Sequence, residues 1–199
     1  VTGSIDESVR HAITKLAHIH FPATKRAYEF LLKMGEKKEK VFYTGCPAMD
    51  LINMDHLKAL GNTLKNYKGI GKELSASKPY IVVLQHPVTN EYGEGYSQIN
   101  STLEAIKKLV SVQDIQIIWL WPNIDAGSDL VSKRLREFHE NEDINKNVRF
   151  FRNFSPEDYL KIIFDSLCIV GNSSSGLREG SFIGLPCVNI GSRQNKRER

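Results

Sequence analysis

The chain of 199 residues is 41% hydrophobic and 25% charged, with a formal net charge of +4 and a pI near 8.9. That apolar share fills a core without staples, and the mild basicity suits an anionic ligand; no Lys/Arg block interleaves with aromatics as a nucleic-acid groove requires. Cys46, Cys168 and Cys187 form no short pairing motif, no apolar run nears the ~20 residues of a membrane span and no secretory signal is visible, so we expect a cytoplasmic chain without disulfide framework, metal or membrane.

Ser4 and Glu7 have the spacing of a capping box, and Val9, Ala12, Ile13, Leu16 and Ala17 then recur at helical intervals. This predicts a helix over 5–18. Asp6 and Arg10, like Glu7 and His11, stand four apart and share faces, with Thr14 and Lys15 one turn on. From the residues alone this is a solvated, ion-paired face. A strand over 19–21 stopped by Pro22, a helix over 23–34 and a strand over 41–44 broken by Gly45-Cys46-Pro47 follow. Residues 1–50 therefore read as the tail of one α/β unit. A second unit is expected over 51–199, entered through a polar helix and linker at about 52–78 with Gly61, Gly69 and Gly71.

Beyond Pro79 the pattern becomes regular. Strands are expected over 80–84, 115–120, 148–151, 167–170 and 187–190. Helices are expected over 97–110 and 128–140, from Ser155-Pro156, and from about Gly176. Continuous apolar runs mark strands buried on both faces. Strands alternating with helices predict an α/β fold, a Rossmann-like parallel sheet with helices on both faces. Ligands of such sheets bind beyond the carboxyl ends of the strands.

Three strands end in polar loops. Leu84-Gln85-His86-Pro87-Val88 delivers His86 to the sheet edge, where an imidazole can donate to phosphate or protonate a leaving group; a structural histidine is the plainer alternative. Trp121-Pro122-Asn123-Ile124-Asp125-Ala126-Gly127 offers Asn123 to a ligand and Asp125 as a helix cap. Gly171-Asn172-Ser173-Ser174-Ser175-Gly176 joins a buried strand to a helix, so free N–H groups, the helix dipole and serine hydroxyls form an anion site. A capped turn without ligand is the alternative. The turn matches neither a Walker loop nor a dinucleotide fingerprint. Glu179, one turn on, suits ribose hydroxyls better than phosphate, with a solvated helix carboxylate as the equal alternative. Gly191-Ser192-Arg193-Gln194 and Arg197 can set a guanidinium on a phosphate or across a cleft.

Several of these segments together resemble the hydrolysing UDP-N-acetylglucosamine 2-epimerases of sialic-acid biosynthesis. They are the run from Gly3-Ser4-Ile5-Asp6-Glu7 to His18, Gln85-His86-Pro87-Val88-Thr89, Pro122-Asn123-Ile124-Asp125-Ala126-Gly127, Gly171 to Glu179, and Gly191-Ser192-Arg193-Gln194. The resemblance implies a glycosyltransferase-B-like fold of two Rossmann-like domains facing a cleft, the first only partly present here. It implies conversion of UDP-N-acetylglucosamine and water to N-acetylmannosamine and UDP, by elimination of UDP to a glycal and addition of water. It also implies no cofactor, no metal, a UDP-sugar as the small-molecule partner, no nucleic acid, and a homo-oligomer at full length.

Carried over by motif position, His86, Asn123, Ser173, Ser174, Glu179 and Arg193 fall on UDP-contacting places. Ser173 and Ser174 lie on the diphosphate with Ser175 beside them, and Glu179 lies on the ribose. Asp6 matches a catalytic carboxylate, with Glu7 adjacent and the choice between them open; His86 joins them as a catalytic candidate. In the family a His-Gly-Gly-Glu segment with a catalytic glutamate lies just before the position of Val1. An earlier aspartate and a basic contact lie further upstream, and a closing helix follows at the other end. The chain is thus expected to be part of a longer polypeptide, to bind UDP weakly and not to epimerise alone. Rival expectations are a 2-epimerase for a UDP-linked diacetamido bacterial sugar, a glycosyltransferase of the same fold, and a non-catalytic nucleotide-sugar-binding module.

Overall fold

The apolar runs become the middle of a six-stranded sheet in the order β1-β4-β3-β2-β5-β6. The computed structural model describes residues 5–52, 57, 63–75, 77–141, 146–195 and 197, with the backbone alone at 5, 6, 90 and 141. The strands are β1 (Gly69–Ile70), β2 (Tyr80–Leu84), β3 (Gln116–Leu120), β4 (Val148–Phe151), β5 (Ile169–Gly171) and β6 (Cys187–Asn189). The helices are α1 (Ile5–Leu16), α2 (Lys25–Lys33), α3 (Gly95–Val112), α4 (Ser128–Asn141), α5 (Pro156–Phe164) and α6 (Glu179–Ile183). β2 to β6 pair in parallel, and β1 closes the far edge antiparallel to β4.

The two-residue alternation of each strand divides its side chains between two cores. Ile81, Val83, Ile117, Trp119, Val148 and Phe150 pack with Ile99, Leu103 and Ile106 of α3 and Val131, Leu135 and Phe138 of α4. Tyr80, Val82, Ile118, Leu120, Phe151 and Ile169 pack with Leu160, Ile162 and Ile163 of α5. Val82, Val83, Ile117, Ile118 and Trp119 are fully buried. Burial on this scale stabilises by about 1.5–3 kcal/mol per side chain, which is why β2 reads as an unbroken apolar run and β3 as one after Gln116. Ser155 caps α5 by accepting from the Asp158 N–H, with Pro156 in the first turn. This is the expected Rossmann-like, glycosyltransferase-B-like α/β sheet. No helix among the described residues is long and apolar enough to cross a membrane.

Several expectations are corrected. The strands over 19–21 and 41–44 reduce to one parallel bridge, His20 with Val41. Phe21 and Phe42 stack on each other, but both they and Tyr43 stay exposed, so the pairing has no covered face on which to extend. The expected helix at Gly176 splits into a 3-10 turn, Ser174–Gly176, and the separate five-residue α6. Residues 63–75 contain a 3-10 turn, Thr63–Asn66, and the unforeseen β1, rather than linker. Most of the helix expected from about 52 lies outside the described residues, as do Gly3 and Ser4 of the capping box; Leu57 is helical and buried in the second core.

Chain order and strand order together locate a crevice. From β2 the chain steps outward through β3 to β4, and α5 then carries it back so that β5 lies on the other side of β2. Connections therefore leave β2 and β5 in opposite directions. Their carboxyl ends flank a topological switch point, the place where open α/β sheets bind ligands.

Candidate functional site

The joint at the switch point is built from backbone outward. Gly171 ends β5 with φ +142°, and a Cβ there would lie 1.9 Å from the Leu84 carbonyl oxygen. Only glycine permits this approach. The next residue, Asn172, is 1% exposed. Its Oδ1 accepts from the His86 N–H at 2.7 Å and its Nδ2 donates to the His86 carbonyl at 2.8 Å. One amide side chain thus continues the β2–β5 ladder past the end of the strands. Beside it, buried Gln85 accepts at 2.6 Å from Thr102 of α3.

His86 is thereby held by its own backbone. The Asn123 N–H donates to His86 Nδ1 at 3.1 Å. A backbone N–H can only donate, so Nδ1 carries the lone pair and the neutral ring bears its proton on Nε2. Burial pushes the His86 pKa down to about 4, helped by the Arg193 charge and opposed by Asp125. Arg193 donates to the Asn172 carbonyl at 3.2 Å and lies 3.3 Å from Asp125 Oδ2. Asp125 is therefore a partner of Arg193 rather than the side-chain cap the sequence suggested; its carbonyl accepts from the Ser128 N–H. Gln194, 1% exposed, also donates to the Asn172 carbonyl, at 2.7 Å. The loops after β2, β3, β5 and β6 meet around Asn172.

The serine turn is a hydroxyl cluster more than a helix start. Ser173 Oγ accepts from the Ser175 N–H at 3.3 Å and lies 3.1 Å from Ser175 Oγ. Ser174 O accepts from the N–H groups of Leu177 and Arg178. The Ser175 N–H is thus engaged inside the turn, and the serine hydroxyls add donors to it. Gly176 packs where a Cβ would lie 2.5 Å from Cys187 Sγ and 3.2 Å from Ile169, so a larger residue there would have to displace the Cys187 side chain. Glu179 opens α6, half-buried, and its Oε2 meets no donor among the described residues. Asn123 Oδ1 and Gln194 Oε1 share that condition. Buried acceptors without donors fit a ligand rich in O–H and N–H groups.

A cleft of about 1160 Å³ adjoins this turn at Leu177 and Arg178, with α1, α2, Cys46 and Met49 opposite. His86, Asn123 and Arg193 are outside its lining, so two regions lie side by side: the strand ends and the cleft. Glu7 lines the cleft, is 8% exposed and lies 3.9 Å from His11 Nε2. The solvated-face expectation for α1 therefore fails at Glu7. The Asp6 side chain lies outside the described residues. Arg178 reaches across to donate to Cys46 Sγ at 2.9 Å. Among the described residues no three His, Cys, Asp or Glu side chains gather as a metal site would need.

The expected site residues thus fall into two groups. His86, Asn123 and Arg193 are joined by hydrogen bonds or charge around Asn172, while Ser173, Ser174, Ser175 and Glu179 follow it along the chain. Sequence reasoning passed over Asn172 and Gln194 as site builders. Their side chains bond backbone that is distant in sequence, and no local pattern signals that.

The family model for UDP-N-acetylglucosamine 2-epimerase matches residues 1–199. A UDP-N,N'-diacetylbacillosamine 2-epimerase (hydrolysing) of Legionella pneumophila is 34% identical over 198 residues, 100% of this chain and 49% of the relative. A UDP-N-acetylglucosamine 2-epimerase of Neisseria meningitidis is 31% identical over 198 residues, 99% of this chain and 48% of the relative. The chain thus spans about half the length of these curated relatives. Among solved structures, the UDP-N-acetylglucosamine 2-epimerase of Rickettsia bellii superposes with a TM-score of 0.68 at 22% identity, covering 96% of this chain and 47% of that one. That likeness extends to the fold.

Proposed function

This chain belongs to the UDP-N-acetylglucosamine 2-epimerase family, and we propose that it supplies the UDP-binding half of a hydrolysing enzyme that turns UDP-N-acetylglucosamine and water into N-acetylmannosamine and UDP. In this proposal residues 51–199 form the UDP-binding domain and residues 1–50 belong to the domain across the cleft. The observation that carries it is the joint at the β2/β5 switch point, where Asn172 holds His86 and Arg193 beside a serine turn and three acceptors that meet no donor among the described residues.

The chemistry follows from those groups. Ser173, Ser174 and Ser175 donate hydroxyl hydrogens to the diphosphate, and Glu179 accepts from the ribose. Arg193 balances charge on the departing UDP. His86, neutral with its proton on Nε2, donates a hydrogen bond to a phosphate oxygen as the C1–O bond breaks. A carboxylate on α1, Glu7 or its neighbour Asp6, faces the sugar and exchanges the C2 proton. Loss of that proton and of UDP leaves a glycal. Water then adds its oxygen at C1, and a proton returns to C2 from the opposite face.

Calorimetric titration of this chain with UDP tests the nucleotide half, with expected saturation that Arg193→Ala weakens about tenfold or more through loss of a charge-assisted contact. No UDP binding, or equal binding by the variant, would count against it. A second reading takes a UDP-linked diacetamido sugar as substrate, the class named for the Legionella relative at 34% identity. Feeding each nucleotide sugar to the full-length polypeptide with water alone separates the two, and a requirement for an acceptor would instead indicate a transferase.

A further inference from the structure

Tyr159 on α5 is half-buried, and its hydroxyl lies 2.6 Å from Ser175 Oγ. The helix that carries it is fixed by Leu160, Ile162 and Ile163 in the second core and by the Ser155 cap. A chain of three hydroxyls results: Tyr159, Ser175 at 2.6 Å, and Ser173 a further 3.1 Å away. Enclosure of the phenol pushes its pKa up to about 12, so it keeps its proton. Either oxygen can donate across the 2.6 Å contact; with the phenol as donor, Ser175 Oγ accepts. Once the phenol donates to Ser175, turning the Ser175 hydrogen back toward Tyr159 would set two hydrogens against each other. Ser173 Oγ already accepts from the Ser175 N–H. One serine hydrogen is therefore always left to point away from Tyr159 and out of the cluster.

We propose that Tyr159 is a positioning residue for the phosphate turn, donating to Ser175 so that the Ser173–Ser175 pair presents a hydroxyl hydrogen to the bound diphosphate. This rests on the UDP-sugar reading above. Without the phenol O–H the serine rotors have no fixed direction, and binding the diphosphate must order them.

Tyr159→Phe removes one oxygen and keeps the ring. We expect its UDP dissociation constant to rise about fivefold, the scale of one modest hydrogen bond, while uridine affinity stays unchanged. In a Ser175→Ala background the same substitution is expected to have no further effect on UDP. Unchanged UDP affinity in Tyr159→Phe overturns the proposal. So does an equal loss of uridine and UDP, since the effect is then general damage to the fold. So does an undiminished effect in the Ser175→Ala background. A parent chain that binds neither UDP nor uridine overturns the UDP-sugar reading itself, a result distinct from these.

Discussion

His86 has its Nδ1 occupied by the Asn123 N–H, and burial followed by the Arg193 charge pushes its pKa from 6.5 down to about 4. The folded state therefore resists protonation of this ring, whereas the unfolded chain titrates it near 6.5. Between those values the unfolded state binds more protons. The stability His86 contributes is fully present above about 6.5 and is lost as pH falls through about 4. An NMR titration of its ring signals is expected to show a midpoint near 4; a midpoint near 6.5 would mean that the ring is open to water. Asn172 carries more of the architecture than its place in a serine-rich turn suggests. Asn172→Ala removes both bonds to the His86 backbone and strands buried groups, which is expected to cost about 2–4 kcal/mol in urea unfolding; a loss under about 0.5 kcal/mol would contradict the joint described here. At this scale the sequence showed which loops are polar and which side chains end strands. It did not show that Asp125 turns to Arg193 or that Asn172 bridges two strands, because both pairings arise only from the strand order.

The strand ends are set by one close approach, β2 against β5 at Gly171. A Cβ at 1.9 Å from the Leu84 carbonyl, with φ at +142°, leaves no room for alanine. Gly171→Ala is expected to destabilise by about 3 kcal/mol or more and to lower the yield of folded chain. A thermal midpoint within about 2 °C of the parent would show that the strands are spaced more widely. Elements were legible where burial dominates: Tyr80–Leu84 matches the expected strand because a continuous apolar run admits little else, and Val148–Phe151 matches it although Arg149 interrupts the apolar residues. They were illegible where local bonding or partners decide. The Ser173 hydroxyl accepts from the Ser175 N–H, which tightens the turn and delays the helix to Glu179. β1 is two residues long and antiparallel, too short to leave a pattern. The strand expected over 41–44 keeps Phe42, stacked on Phe21, and Tyr43 largely exposed and shrinks to Val41.

At the scale of the molecule, the two ends of the chain differ in kind. The sheet is packed on both faces, while α2 buries no residue and Val9, Leu16 and Phe21 stand 52%, 80% and 66% exposed. The α/β class and the edge that holds the site could be read from the alternation of runs. The exposure of α1 and α2 could not, since their apolar spacing is that of any amphipathic helix. This asymmetry bears on catalysis. The strand-end joint lies within the described residues, and in the reading proposed above it supplies groups for nucleotide binding. Epimerisation needs more. A proton must leave C2 from one face of the sugar and return from the other, and a single carboxylate cannot reach both. Among the described residues lining the cleft, Glu7 is the one carboxylate, with Arg10, His11 and Arg178 near it. We therefore expect this chain to bind UDP and yet to release no N-acetylmannosamine from UDP-N-acetylglucosamine. Incubation in deuterated water sharpens the test, because an elimination that reverses, with UDP re-adding at C1, would leave deuterium at C2 of recovered substrate. Release of N-acetylmannosamine by these 199 residues would show that a second proton-transfer group is already present. Deuterium in the substrate without release would show that Glu7 or Asp6 performs the first transfer and that the return step is what the chain lacks.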